Sequence, residues 1–170
     1  MESNRQERKV EDKILNKEQL GKELVRLRDE GKRIVFTNGC FDILHVGHAS
    51  YLEKAKEFGD VLVLAINSDA SVRTIKGGKR PLIPEEERAY MVASLEVVDY
   101  VTIFSEKTPL ELIDYLMPNV LVKGGDWAEE KVVGRESVEK WGGKVVIIPE
   151  IEGASTTNIV EKIIKMYCNR

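Results

Sequence analysis

The chain has 170 residues, of which 42% are apolar and 32% charged, and its formal net charge is −3 at pH 7. This length suits one domain over residues 1–170 that buries its core without disulfides or a metal, and Cys40 and Cys168 are too few and too far apart for a disulfide framework or a zinc site. The acidic balance argues against nucleic acid or an anionic membrane as partner, and with neither a signal peptide nor an apolar run of membrane-spanning length we expect a soluble cytoplasmic protein.

The sequence of residues 1–31 predicts a polar amino-terminal segment followed by one helix. Residues 1–13 are polar, and we expect them to be frayed. Asn16 and Gln19 form a capping-box pattern for a helix within residues 14–31, which Gly31 would end. The apolar stripe of this helix predicts that it packs on a core through Leu20, Leu24 and Leu27.

The rest of the chain alternates apolar runs with helical patterns. In chain order it predicts a strand at 33–37, a helix at 49–58, a strand at 61–66, a loop at 76–80, a helix from Pro84, a strand at 100–104, a helix after Thr108 and Pro109, a strand at 120–122, a helix at 130–140, a strand at 144–148 and a last helix capped by Ser155 or Thr156. The last helix is expected to turn Ile159, Ile163 and Tyr167 inward. This alternation predicts a doubly wound, Rossmann-like α/β fold, a five-stranded parallel sheet with helices on both faces.

The two histidines of the chain, His45 and His48, stand three residues apart with Gly47 between them, just after the first predicted strand. If a helix begins there, both imidazoles project from nearly one face of its first turn, beside unpaired backbone N–H groups. Two imidazoles, free amides and a glycine that permits close approach suit phosphate oxygens. A capping or packing role is the alternative, but this spacing at a helix start favours a nucleotide-handling enzyme, although neither a P-loop nor a G-x-G-x-x-G fingerprint is present.

Two more segments follow predicted strands and therefore reach the same rim of the sheet. Lys76, Lys79 and Arg80, with two glycines between the lysines, form either a solvated turn or a mobile clamp for phosphate. The segment from Gly153 to Thr157 opens the last helix. Its hydroxyls serve as N-caps, and together with the free amides they also make a second anion site.

Two features stay open between a structural and a binding role. Gly124 and Asp126 belong to a segment that is either a turn with Trp127 packed on it or a glycine surface against which a planar base lies. Arg88 either pairs with glutamates on its own helix or reaches a phosphate.

Four segments together resemble the HxGH nucleotidyltransferase superfamily, and within it the bacterial D-glycero-β-D-manno-heptose 1-phosphate adenylyltransferases of ADP-heptose synthesis. They are Phe36–His48, Asn67–Val72, Val122–Asp126 and Glu152–Thr157, and the resemblance extends over residues 32–162. It implies transfer of AMP from ATP to a sugar 1-phosphate, for lipopolysaccharide core synthesis, with release of pyrophosphate. It also implies Mg²⁺ carried by the nucleotide phosphates, with Asp42 the single candidate among protein carboxylates, and a separate sugar kinase that supplies the substrate.

The resemblance further implies a role for each matched residue. The catalytic set is His45, His48, Lys76 and Lys79, with His48 at the α-phosphate and the lysines on the triphosphate and the sugar phosphate. The nucleotide-binding set is Asn38, Gly39, Cys40, Phe41, Gly47, Arg88, Gly124, Asp126, Gly153, Ser155, Thr156 and Thr157.

Three other readings stay open. Glycerol-3-phosphate cytidylyltransferases share the histidine motif and the serine and threonine segment, but usually carry an arginine where this chain has Glu150. A nucleotide sensor without turnover would keep the same pocket. A fragment related to aminoacyl-tRNA synthetases fits poorly, because the chain is too short and too acidic to hold a tRNA-binding domain. A homodimer through the apolar sheet edges is a further expectation.

Overall fold

The computed structural model describes residues 8–125 and 131–168, which form one parallel sheet with helices around it. The strands are β1 Ile34–Gly39, β2 Val61–Asn67, β3 Tyr100–Phe104, β4 Val120–Gly124 and β5 Lys144–Ile148. The helices are α1 Lys17–Asp29, α2 Val46–Lys56, α3 Asp69–Lys76, α4 Glu85–Ala93, α5 Leu110–Leu116, α6 Arg135–Lys140 and α7 Thr156–Tyr167.

The sheet order is β3-β2-β1-β4-β5, and every pairing is parallel. From β1, the strand order therefore runs through β2 to β3 on one side and through β4 to β5 on the other. Such a reversal is the point at which doubly wound sheets hold their ligands, beyond the carboxyl ends of the strands. The predicted fold class is confirmed.

Two apolar layers cover the sheet, one on each face. One layer contains the buried leucines of α1, with Ile113 of α5 and Val138 of α6. The other contains Leu52 of α2 and Val92 of α4. All seven residues of β2 are buried, which is why this strand reads as an uninterrupted apolar run rather than an alternating one.

The start of the chain differs from the sequence prediction. Residues 11–13 form a single 3₁₀ turn instead of a frayed end, and α1 begins only at Lys17, behind the predicted Asn16 capping box. Lys13 Nζ donates to the backbone oxygens of Ala93 and Val98, each at 2.9 Å, and Ile14 forms an isolated bridge with Val101. These contacts are made with residues that are distant in the sequence, so no local pattern predicts them.

The helices after β2 differ in three places. Helix α3 fills a segment for which the sequence indicated only a motif and a loop. Helix α6 begins only at Arg135 instead of at residue 130: residue 130 lies outside the described residues, and residues 131–134 are not part of an α-helix. The prediction that α7 turns its apolar residues inward is wrong, since none of its residues is buried, and Ile163 and Tyr167 are 49% and 73% exposed. Within the described ranges, the structure has no helix with the length and apolarity that a membrane crossing needs.

Candidate active site

A cavity of about 470 Å³ opens at the carboxyl ends of β1 and β4, where the strand order reverses. The end of β1, the first turn of α2, the end of β4 and the first turn of α7 form its walls. Chemistry-bearing side chains from the loop between β1 and α2, from the end of β4 and from the start of α7 therefore face one space.

His45 and His48 lie at the amino end of α2 and stack on each other. His45 is the N-cap residue in an extended conformation, and the two ring centroids are 3.9 Å apart with the planes inclined by 27°. Phe41 also packs against His48, with its ring centroid 4.9 Å away and the planes inclined by 40°. The imidazoles are therefore held as a pair at the amino end of α2, which carries the positive end of the helix dipole.

Burial lowers the pKa of both imidazoles. Burial, with a smaller contribution from the neighbouring His45, lowers the pKa of His48 to about 4. At His45 burial also dominates, and Glu150 opposes it. Both rings are therefore neutral near pH 7. Neither buried Nδ1 has a hydrogen-bond partner among the described residues, which favours the tautomer with the proton on Nε2.

A side chain at Gly47 would crowd the start of α2. A Cβ placed on it would lie 2.9 Å from Nδ1 of His45 and 3.2 Å from the Cβ of Ala154, which precedes α7. The glycine therefore lets the first turn of α2 approach both its own N-cap histidine and the start of α7. This packing explains the glycine inside the histidine motif.

The amino end of α7 faces the same cavity. Ser155 is the N-cap and its Oγ accepts a hydrogen bond from the backbone N–H of Asn158 at 3.0 Å, while Thr156 donates to the backbone oxygen of Ile43 at 3.3 Å. The Thr156 contact ties the start of α7 to the loop between β1 and α2. Ser155, Thr156 and Thr157 all line the cavity, so two helix amino ends border one space.

Asp42 holds the basic loop against the histidine loop. Its carboxylate accepts hydrogen bonds from Nη1 of Arg80 at 2.5 Å and from the backbone N–H groups of Leu82 and Ile83 at 2.8 and 3.0 Å. The loop is therefore fixed at Arg80, which lines the cavity together with Lys76. Lys79 is exposed and does not line it, unlike the placement that the sequence suggested.

Arg88 does not reach the cavity either. Its side chain is fully buried and donates to the backbone oxygen of Cys40 at 2.6 Å, to that of Ile83 at 2.9 Å and to the carboxylate of Asp69 at 2.8 Å. Neither of the roles considered from the sequence matches this position, because the acceptors lie on three segments brought together by folding. Arg88 instead positions Cys40 at the cavity wall.

Most of the residues expected from the sequence meet at this cavity. Those that line it are Asn38, Gly39, Cys40, Phe41, His45, Gly47, His48, Lys76, Gly124, Ser155, Thr156 and Thr157. Gly153 does not line it and instead accepts, through its oxygen, a hydrogen bond from the Asn158 side chain at 2.9 Å. Asp126 and Trp127 lie outside the described residues.

The structure adds lining residues for which sequence reasoning proposed no nucleotide contact. Lys123 and Tyr51 are the polar ones whose side chains are partly buried. Lys123 belongs to the matched segment at the end of β4, and a lysine directly after the apolar run predicted as a strand at 120–122 is the signal that could have identified it. Tyr51 follows His48 by one helical turn, which is a similar but weaker signal.

The described residues do not supply a protein site for a metal. They contain no group of three or more histidine, cysteine, aspartate or glutamate side chains that could hold one. Asp42, the candidate from the sequence, already accepts three hydrogen bonds. The donor set therefore does not fit a divalent cation held by the protein alone.

Comparison with known proteins gives consistent matches. The family model described as cytidylyltransferase-like matches residues 36–162. The bifunctional protein HldE of Geobacter sulfurreducens is 57% identical over 155 residues, which cover 91% of this chain and 32% of that protein. The bifunctional protein HldE of Trichlorobacter lovleyi is 53% identical over 160 residues, which cover 94% and 33%. The chain thus spans about a third of the length of these relatives.

Solved structures show the same fold. A lipopolysaccharide core biosynthesis protein from Thermoplasma volcanium superposes with a TM-score of 0.60 at 29% identity, over 71% of this chain and 98% of that one. A pantoate-beta-alanine ligase from Francisella tularensis superposes with a TM-score of 0.54 at 17% identity, over 92% and 79% of the two chains. The second likeness concerns the fold alone.

Proposed function

The chain belongs to the cytidylyltransferase-like family of nucleotidyltransferases, and from that premise we propose that it transfers AMP from ATP to a sugar 1-phosphate. The observation that carries the proposal is the stacked pair His45 and His48 at the start of α2, which shares one cavity with the start of α7. We assign residues 1–170 to a single nucleotidyltransferase domain, and we propose that it acts in the cytoplasm, where its substrate ATP is supplied.

The sugar phosphate that we propose is D-glycero-β-D-manno-heptose 1-phosphate, and the product ADP-heptose would serve lipopolysaccharide core synthesis. Two findings support this choice. The relatives with more than half of their aligned residues identical carry the name HldE, and a structural neighbour at 29% identity is a lipopolysaccharide core biosynthesis protein. The four matched segments of the sequence point to the same branch.

The proposed reaction needs no general base from the protein. An anionic oxygen of the sugar phosphate attacks the α-phosphorus of ATP in line, a new P–O bond forms, and the bond to the β-phosphate oxygen breaks with its electron pair leaving on pyrophosphate. The task of the site is then to position two anions and to stabilise charge that develops on the α-phosphate and on the leaving group.

The histidines meet this task as neutral donors. Because burial keeps both rings neutral in the free protein, each N–H offers a hydrogen bond without a fixed positive charge, and a bound phosphate raises the pKa of the ring beside it. We assign His48 to the α-phosphate. Ser155, Thr156 and Thr157 would hold the β- and γ-phosphates through hydroxyls and amides, and Lys76 with the exposed Lys79 would close over the phosphates. The walls formed by Asn38, Gly39, Cys40, Phe41, Gly47 and Gly124 would hold the nucleoside.

Nucleotidyltransferases of this kind use a divalent metal ion, and we propose Mg²⁺ bound through the phosphates of the nucleotide. Support comes from the cavity itself, where Asp42 is engaged in holding the basic loop and no set of carboxylates among the described residues stands ready for a metal. The ion would neutralise charge on the phosphate chain, and the protein would position that chain.

We also propose a homodimer that forms through α7 rather than through the sheet edges. The apolar side of α7 consists of Ile159, Val160, Ile163, Ile164, Met166 and Tyr167, and none of them is buried. Ile163 lies near the middle of this apolar side, so an antiparallel pair of these helices would bury the same residues of both copies. Sedimentation of the protein tests this interface. Ile163→Asp, which places a charge in the middle of the apolar side, should yield monomers, whereas a wild-type monomer at high concentration would refute it.

The partner in metabolism would be a sugar kinase, because the substrate is a sugar that carries phosphate at its anomeric carbon. The relatives are called bifunctional and are about three times as long as the matched region. That length is consistent with a second activity carried on the same chain in those proteins.

Pyrophosphate release with Mg²⁺ tests the proposed function. ATP and CTP are each combined with heptose 1-phosphate and with glycerol 3-phosphate. Release with ATP and heptose 1-phosphate alone is the expected result. Release with CTP and glycerol 3-phosphate would instead favour the cytidylyltransferase alternative, for which the name of the matched family is the supporting observation. Nucleotide binding without release in any pairing would favour a sensor.

A further inference from the structure

Strands β1 and β4 separate before they end. Their pairing runs from Val35 with Val120 to Phe36 with Leu121, although both strands continue for three more residues. On their other sides, β1 stays paired with β2 up to Gly39, and β4 stays paired with β5 up to Gly124. A cleft therefore opens at the point where the sheet order reverses.

Lys123 lies in this cleft and bridges it. Its ammonium donates a hydrogen bond to Oδ1 of Asn38 at 2.5 Å, across the two separated strands. The side chain is partly buried and lines the cavity that also contains His48. Gly124 beside it leaves room for the ring of Tyr51, whose nearest carbon would be 3.2 Å from a Cβ at that position. The backbone of Lys123 is therefore held by strand β4 and by the packing of Tyr51 beside it.

The ammonium of Lys123 has more N–H donors than its hydrogen bond to Asn38 uses. It has three N–H groups, and its hydrogen bond to Asn38 uses one. No carboxylate of the described residues forms an ion pair with it, whereas Arg80 and Arg88 both have one. Burial lowers the pKa of this lysine to about 8, so the free protein bears an electrostatic cost at this position.

A structural role does not account for that cost. A cation removed from water is favourable when an anion compensates it, and an apolar side chain of similar length would fill the same space more cheaply. Lys76 and Lys79, in contrast, are exposed and bear no such cost. The arrangement has the features of a fixed anion receptor that is completed when a substrate arrives.

We propose that Lys123 is a substrate-binding residue that donates to a phosphate oxygen in the cleft between β1 and β4, with Asn38 holding its ammonium in place. The inference rests on the proposed function for the identity of the phosphate, which belongs either to ATP or to the sugar 1-phosphate. It assigns to β4 a part in the phosphate site, which the sequence motifs place on α2, α7 and the basic loop.

Calorimetric binding tests the proposal without turnover. One arm titrates MgATP into the protein, and the other titrates heptose 1-phosphate into protein saturated with a non-hydrolysable ATP analogue. The variants are Lys123→Met, which keeps length and removes charge, and Lys123→Arg, which keeps charge. Lys144→Met on the neighbouring strand is the matched control, since Lys144 is exposed and lies at the far end of the sheet from the cavity.

We expect Lys123→Met to weaken one of the two ligands by about tenfold or more, Lys123→Arg to restore part of the affinity, and Lys144→Met to bind as wild type. The arm that changes identifies which phosphate Lys123 contacts. Lys123→Met removes a buried charge and no apolar contact, so its Tm should be no lower than that of wild type. A loss of affinity in this variant would then not result from a loss of folded protein. Unchanged affinity in both arms would overturn the proposal. Failure of the proposed function is seen separately, as wild-type protein that binds ATP and releases no pyrophosphate.

Discussion

Replacement of Gly47 by alanine probes the contact that brings the two helix starts together. The new Cβ would lie 2.9 Å from Nδ1 of His45 and 3.2 Å from the Cβ of Ala154, whereas ordinary contacts begin at 3.4 Å. The imidazole of His45 must therefore move by about half an ångström, or α7 must retreat. His45 is only partly buried and moves readily, so the strain should cost about 1 kcal/mol of folding free energy, and the better helix propensity of alanine offsets much of it.

The effect on catalysis should be larger than the effect on stability. A misplacement of about 1 Å in a catalytic group can cost about a hundredfold, so a shift of about half that size should lower kcat about tenfold. Pyrophosphate release measures kcat, and urea unfolding measures stability on the same preparation. Val46→Ala is the matched control, because Val46 is the preceding residue of the same turn and its side chain is 66% exposed. If Gly47→Ala kept kcat within twofold of wild type, the close fit at His45 would have no catalytic meaning.

Three more predictions concern charge and hydrogen bonding. His48→Ala should lower kcat by about 10²–10³ with little change in ATP affinity, as expected for loss of one positioned donor; steady-state kinetics measure it, and a kcat within a few-fold of wild type would remove His48 from the chemistry. Arg88→Met should lower the free energy of unfolding in urea by about 3 kcal/mol, because three acceptors on separate segments lose their donor. The control Arg73→Met, on the exposed side of α3, should lower it by almost nothing, and equal values for the two variants would refute the role of Arg88. His48 is neutral in the folded protein with a pKa of about 4 but takes up a proton near pH 6.5 when unfolded, so its contribution to stability is lost as the pH falls below 6.5. After allowance for solvent screening this amounts to about 1 kcal/mol between pH 7 and pH 5, and His48→Gln should lack that part of the pH dependence in urea unfolding; an identical slope in both proteins would contradict it.

The sequence by itself determined the order of the strands and most of the cavity wall. The uninterrupted apolar run of β2, the Asn16 capping box and the spacing of His45 and His48 are local patterns, and local backbone geometry converts them directly into a buried strand, a helix start and a pair of adjacent rings. Alternation of strands and helices then dictates that the strands are parallel, which brings the loops after their carboxyl ends to one rim.

Only the tertiary structure decided which charged groups serve the site and which serve the fold. Arg88 and Lys79 were both considered for contact with phosphate, yet folding buries the first among acceptors of Cys40, Ile83 and Asp69 and leaves the second in solvent. Lys123 acquires its position from the separation of β1 and β4, and the apolar side of α7 remains open among the described residues although its periodicity predicts a buried face. The physical reason is common to all four, since periodicity reports which side of an element is apolar, whereas partners of a charge or an apolar face come from segments distant in the chain.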